Sequence, residues 1–326
     1  MADGKSTRRD ILKASLAAAG GAAAMSLEER ALLAGVAESA AKPAATAPAQ
    51  KPAVSPGPMP TGKIGALVIS RIVCGGNLIS GFAHSRDLVY VSDLIKQYFS
   101  DEKVCETLHM CEELGINTAF MRTDDHVFRI LDRYWNKEGG KIQWIAQTQP
   151  SDAEPEVNIR QAIDHGAKAC YVHGGIGDRW VKDGKMDLLG KALWTIRDRG
   201  LPAGVGGHEL ATPQAVEAAG LQPDFYMKTF HRSDYWSYTK ERVKDNSWCA
   251  EPEETARFMA TVERPWVAFK TLAAGAIHPR VGFRYAFENG ADFACVGMFD
   301  FQLGEDVAIA KEILTGNLKR TRPWRS

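Results

Sequence analysis

The chain has 326 residues, of which 45% are hydrophobic and 25% charged. That composition supports one large core and excludes a disordered polymer. Lys+Arg and Asp+Glu both number 40, so the formal charge is zero and no basic field exists to attract nucleic acid.

The first segment reads as an address. Thr7-Arg8-Arg9-Asp10-Ile11-Leu12-Lys13 resembles the twin-arginine export pattern S/T-R-R-x-F-L-K, with Ile11 in the Phe position. The Ala/Gly-rich run from Ala14 to Met25 is mildly apolar and too short to span a membrane as a helix. Residues 1–40 are therefore predicted to be a twin-arginine signal region and residues 41–62 an Ala/Pro linker. Residues 63–320 are the expected folded domain. This reading implies a bacterial protein that is periplasmic or otherwise exported. The twin-arginine translocase is then a transient partner, and no stable membrane span is expected. The plainer reading of the same residues is an ordinary basic amphipathic start. Cys74, Cys170 and Cys295 lie in apolar runs and read as buried thiols, and no C-x-x-C pair suggests structural zinc.

From Lys63 onward, short runs rich in Val, Ile and Phe alternate with amphipathic segments. Strands are predicted near 67–74, 116–121, 142–146, 169–172, 202–205, 225–229, 266–270 and 293–296. Helices are predicted near 101–114, 127–136, 154–165, 188–199, 213–219, 252–262, 279–288 and 302–314. Asp101, Thr212 and Glu251 sit at expected helix starts, and Gly115, Gly166, Gly200, Gly220 and Gly290 at expected helix ends. Strands that recur with helices between them pair in parallel through right-handed crossovers. Eight such units predict an α/β fold, a closed (β/α)8 TIM barrel, with a doubly wound open sheet as the alternative.

In such barrels the chemistry sits at the C-terminal ends of the strands. The residues expected there are unusually polar. They are Asn77, then His84 and Arg86 on a long loop, then Arg122, Asp124 and Asp125, and then Gln149. His173, His208 with Glu209, Lys228, His231, Lys270 and Asp300 follow. His173, His208 and His231 come after three successive strands, so they can converge on a divalent metal such as Zn or Mn, with Asp300, or else Glu209 or Asp124, completing the set. The competing reading is histidines that hydrogen-bond backbone and carboxylates at a wet rim. Lys228 and Lys270 lie inside strand-like runs, on the sixth and seventh predicted strands, and suit acid–base or Schiff-base chemistry if they point inward. Salt bridges to Asp300 or Glu209 are the plainer reading of both. Alternation in Asp224-Phe-Tyr-Met-Lys-Thr229 is read here as placing Tyr226 and Lys228 inside the barrel. Asp124, Asp125 and Glu209 are the candidate acids and bases. Asn77, His84, Arg86, Arg122, Gln149, Tyr235, Trp236 and Trp248 are the candidate substrate contacts, and the aromatics among them suit a sugar ring or simple packing over the mouth.

Several of these stretches resemble the aldo/keto reductase superfamily. ISRIVCGGNLISG is similar to its first strand and turn, and Gly115-Ile-Asn117 to the approach to its second. Tyr171-Val-His173 is similar to its fourth-strand histidine, and Phe269-Lys-Thr-Leu-Ala-Ala-Gly-Ala276 to its seventh-strand S-P-L-x-x-G. GGNLISGFAHSRDL, MKTFHRSDYW and AGAIHP–GFRYAFENGADF resemble an exported reductase-like bacterial group. The resemblance implies a (β/α)8 barrel from about Ile69 to Leu314 and carries over one catalytic residue, His173. Phe120 falls where the family has Asp, Asp125 lies near its Tyr, and Gln147-Thr-Gln149 replaces its Lys. Gly297-Met-Phe-Asp-Phe-Gln replaces its phosphate loop, so NADP is not the expected cofactor. The sequence thus points to an exported barrel enzyme acting on a small sugar or oxidised sugar by metal- or lysine-assisted acid–base chemistry, as a lyase, hydrolase or isomerase. An NADP-dependent aldo/keto reductase-like oxidoreductase is the alternative, followed by a non-catalytic sugar-binding barrel.

Overall fold

The computed structural model describes residues 57–82, 88–240 and 248–326. The predicted signal region, most of the predicted linker, and the candidates His84 and Arg86 lie outside the described residues. No helix among the described residues is long and apolar enough to cross a membrane.

The predicted first strand is two strands. β1 (Thr61–Ile64) and β2 (Leu67–Ser70) form an antiparallel hairpin. The chain breaks at Arg71, and β3 (Ile72–Gly75) enters the barrel. The hairpin crosses the start of the next strands, where Ser70 N–H donates to Asn117 Oδ1 at 2.9 Å and Gln143 Nε2 donates to the Val68 carbonyl at 2.8 Å. Ile64 and Ile69 are buried in the barrel's interior cluster, so the hairpin plugs the N-terminal end.

The remaining barrel strands are β4 (Thr118–Arg122), β5 (Gln143–Thr148), β6 (Ala169–Val172), β7 (Ala203–Gly207), β8 (Phe225–Thr229), β9 (Trp266–Phe269) and β10 (Phe293–Val296). All pair in parallel with their sequence neighbours, and β10 closes on β3 with Ala294 opposite Ile72. Each strand is short and buried on both faces, as parallel sheets covered by helices are. Val73, Phe120, Ile145, Tyr171, Phe225, Met227, Val267 and Phe293 fill the interior. Trp144, Cys170, Tyr226 and Trp266 face the surrounding helices.

Those helices are α1 (Gly76–Ile79), α2 (Tyr90–Tyr98), α3 (Asp101–Glu113), α4 (Asp125–Asp132), α5 (Pro155–Asp164) and α6 (Gly174–Lys182). They continue as α7 (Met186–Arg197), α8 (Ala211–Ala218), α9 (Pro252–Thr261), α10 (Pro279–Glu288) and α11 (Asp300–Thr315). At the base, Arg71 donates to the Asp292 carbonyl at 3.0 Å, joining the two strands where the ring shuts. All six cysteines are buried and free.

Candidate active site at the barrel mouth

Two features define the C-terminal face, a polar mouth over β4 to β8 and a cleft beside β9, β10 and α1. The cleft has a volume of ≈ 690 Å³. It begins inside the barrel at Phe120, Gln147, Tyr171 and Met227, and leaves between the Lys270–Pro279 loop and the start of α11. Asn77, a predicted contact, lies on its wall. At its floor Gln147 Nε2 donates to the Tyr171 hydroxyl at 3.0 Å, and burial raises the phenol well above its ordinary pKa. Gly76 meets β4 so closely that a Cβ would lie 2.8 Å from the Phe120 carbonyl, so only glycine lets α1 begin against that strand.

The loop after β9 has an unusual backbone. Lys270, Ala273, Ala274 and Gly275 have φ of 59°, 45°, 55° and 81°. Non-glycine residues in the left-handed region cost about 1 kcal/mol or more each, and such runs form backbone concavities that bind anions. Lys270 Nζ lies 4.1 Å from the Trp248 ring centroid, above its face.

Lys228 does not point inward. Phe225 and Met227 fill the barrel, so Lys228 shares the outer face with Tyr226 and Phe230. It is buried, and its ammonium donates to the His208 carbonyl at 2.7 Å and the Thr229 carbonyl at 2.9 Å. This lysine ties strand ends together.

The predicted metal set is also corrected. His231 is buried and both its nitrogens are spent. Nδ1 meets the Arg232 carbonyl at 2.8 Å, and Nε2 accepts the N–H of Trp248 at 3.1 Å and of Cys249 at 2.9 Å. Burial pushes it down to about 4, so it is a neutral staple for the Trp248 segment. Asp300 lies away from the histidines at the start of α11, where it accepts from Tyr98 at 2.5 Å and from Lys103 at 3.1 Å. Burial alone would raise its carboxyl, but these donors hold it below its usual range. Among the described residues no group of three His, Cys, Asp or Glu is placed to hold a metal. The donor set does not fit one.

Asp124 caps α4 by accepting from Val127 N–H at 3.1 Å and pairs with Arg122 Nε at 2.8 Å. Arg122 in turn lies 4.3 Å from the Phe82 ring centroid, and the Gln149 amide oxygen, turned toward it, accepts at 2.8 and 3.1 Å. Asp125 and Glu209 are exposed. Asp125 begins α4 away from the cleft lining, so its predicted catalytic role finds no support in geometry. Tyr235 packs on His231 and Tyr238, with centroids 5.8 and 5.5 Å apart, and Trp236 is 82% exposed.

His173 and His208 do meet at the mouth, with ring centroids 6.3 Å apart. Burial first, then His208, Arg122 and Lys270, push His173 down to about 4. Burial also lowers His208, against a raising contribution from Asp178. Asp178, on α6, is the residue that sequence reasoning missed. Its carboxylate lies 2.9 Å from His208 Nδ1 and accepts the N–H groups of His208 and Glu209 and the Thr212 hydroxyl. Burial alone would raise it, but the hydrogen bonds from His208 and Thr212 hold it below the usual carboxylate range. Thr212, expected as a helix cap, serves this carboxylate instead.

No family model matches the chain, and no curated protein does. Solved structures do. A protein from Pseudomonas aeruginosa described as an aldo-keto reductase superposes with a TM-score of 0.53 at 16% identity, covering 78% of this chain and 94% of that one. The aldo-keto reductase AKR11C1 from Bacillus halodurans, in its holo form, gives 0.53 at 11% identity over 78% and 91%. A mutant of Gox0644 in complex with NADPH gives 0.52 at 10% identity over 80% and 89%. The fold is an α/β barrel resembling those of aldo-keto reductases.

Proposed function

We propose that this barrel is an aldo/keto reductase-like oxidoreductase. It binds a nicotinamide dinucleotide in the cleft and acts on a hydroxyl or carbonyl group of a small, polar, sugar-like molecule at the mouth. One observation carries the reading. The cleft of ≈ 690 Å³ runs from the barrel interior to the left-handed loop after β9, a continuous lane of the size that cofactors occupy. The amides of Thr271, Leu272, Ala274 and Gly275 and the Lys270 ammonium would hold phosphate, while Ala273 N–H closes the turn onto the Lys270 carbonyl at 3.0 Å, and Val91, Ile95 and Phe299 offer apolar surface to a ring. When bound, the dinucleotide supplies hydride transfer. That a barrel of similar fold was solved with NADPH favours this reading and displaces the sequence-based expectation that NADP is not used. The exposed Trp236 at the mouth suits a sugar ring. Export through residues 1–40 belongs to the same proposal.

Titration of the full chain with NADPH and NADP+, followed by calorimetry and tryptophan fluorescence, tests it. Micromolar binding is expected, with quenching from Trp248 in the cleft wall. Lys270→Ala should weaken binding about tenfold, or ~1.4 kcal/mol. No binding at millimolar nucleotide would return the protein to cofactor-independent acid–base chemistry. The open nitrogens at the mouth favour that second reading.

A further inference from the structure

We propose that His208 is the general base of the mouth and that Asp178 is its positioning residue. The inference holds whether or not a nucleotide fills the cleft.

An ionised carboxylate only accepts, so the contact of 2.9 Å between Asp178 Oδ2 and His208 Nδ1 places the imidazole proton on Nδ1. The lone pair is then on Nε2, and no described residue hydrogen-bonds that nitrogen. Asp178 is itself fixed, because the backbone N–H of His208 reaches it at 2.9 and 3.0 Å, that of Glu209 at 3.1 Å, and the Thr212 hydroxyl at 2.6 Å. His231 supplies the contrast. A histidine that only holds structure spends both nitrogens on backbone, as His231 does; His208 spends one on an acid and leaves the other open among the described residues.

The surroundings match the task. The His208 ring packs 4.7 Å from Trp248 and 5.3 Å from Phe269, centroid to centroid, and both residues also wall the cleft. Among the described residues, the charged or titratable groups acting on it are Asp178 on α6, Lys228 on β8, Lys270 after β9 and His173 after β6. Asp178 favours the imidazolium and the two lysines oppose it. The substrate class is therefore a compound with a hydroxyl group to deprotonate, such as a polyol or aldose. Its O–H bond breaks as the Nε2–H bond forms. The Asp178 carboxylate balances the new imidazolium. His173 has no carboxylate partner among the described residues and stays neutral, so it serves as a hydrogen-bond partner at the mouth.

Two measurements on the full chain test this. With 15N-labelled histidine, two-bond proton–nitrogen spectra should show His208 in the Nδ1–H form and neutral at pH 7. Diethyl pyrocarbonate, which acylates an open imidazole nitrogen, should modify His208 and spare His231 in peptide mass maps. The pH midpoint of that modification should fall by about one unit or more in Asp178→Asn and recover in Asp178→Glu. Thr212→Val removes a hydrogen bond to the same carboxylate and should leave the midpoint in place. An Nε2–H tautomer, an unreactive His208, or a folded Asp178→Asn with an unmoved midpoint would overturn the assignment. The first two outcomes are read on the unmodified sequence and do not depend on how the variants fold. Nucleotide titration is separate from all three.

Discussion

A buried side chain is judged by where its last polar atom goes. For His231 both ring nitrogens go to backbone. His231→Ala should strand two buried N–H groups and cost ~1–3 kcal/mol. We expect a lower melting temperature and no change in bound metal by mass spectrometry. Loss of stoichiometric zinc with an unchanged melt would instead reinstate it as a ligand. Asp306 shows the opposite situation. It lines the cleft, is 4% exposed, and burial together with Glu305 pushes its carboxyl up to about 7. The folded state therefore holds this proton more tightly than the unfolded chain, whose value is near 3.9. The resulting stability is present below about pH 4 and lost as pH rises through about 7. Asp306→Asn should accordingly raise denaturant stability at pH 8 by ~1–3 kcal/mol and change little at pH 4.

At the scale of elements, the contact between α6 and β7 positions the dyad. A Cβ on Gly177 would sit 2.2 Å from the Gly206 carbonyl, and one on Gly207 would meet Thr212 at 2.8 Å. Only glycine lets the helix come close enough for Asp178 to receive the end of the strand. Gly177→Ala should cost ~1–3 kcal/mol in a thermal melt and shift the His208 signals. Gly190→Ala, in the interior of α7 with only Leu221 at 3.6 Å, should be neutral or stabilising by up to ~1 kcal/mol. The same glycines explain what could be read in advance. The barrel strands were legible because runs such as Ala169–Val172 are apolar, short and bounded by turns. α6 was not, because Gly174, Gly175 and Gly177 look like a loop by propensity. Asp178 vanished with it, although paired small residues in 174–177 and 204–207 were a signal of close packing. The facing of Lys228 failed for another reason. Both faces of a barrel strand are apolar, so alternation offers two solutions and hydrophobicity cannot choose between them. His173 and His208 were found as mouth residues, but their division of labour rests on a partner from a helix unseen in the sequence.

At the scale of the molecule, the proposed route is export of a folded protein. Replacing Arg8 and Arg9 with Lys should retain the folded barrel in the cytoplasm, as judged by cell fractionation and immunoblotting. Unchanged export would remove the twin-arginine reading. The pairing of β3 with β10 matters for such a route. A ring of strands has no free edge, yet every unfinished version of it has two. The link between Arg71 and Asp292 spans 221 positions, so the first barrel strand waits for its partner until nearly all the chain has left the ribosome. A chain stopped after Glu288 lacks β10 and bares the hydrogen-bonding groups of β3 and β9 together. It should sediment as aggregate, whereas the complete chain stays in the supernatant. Circular closure thus acts as a checkpoint on synthesis: the barrel can be a finished particle only after its first and last strands have met.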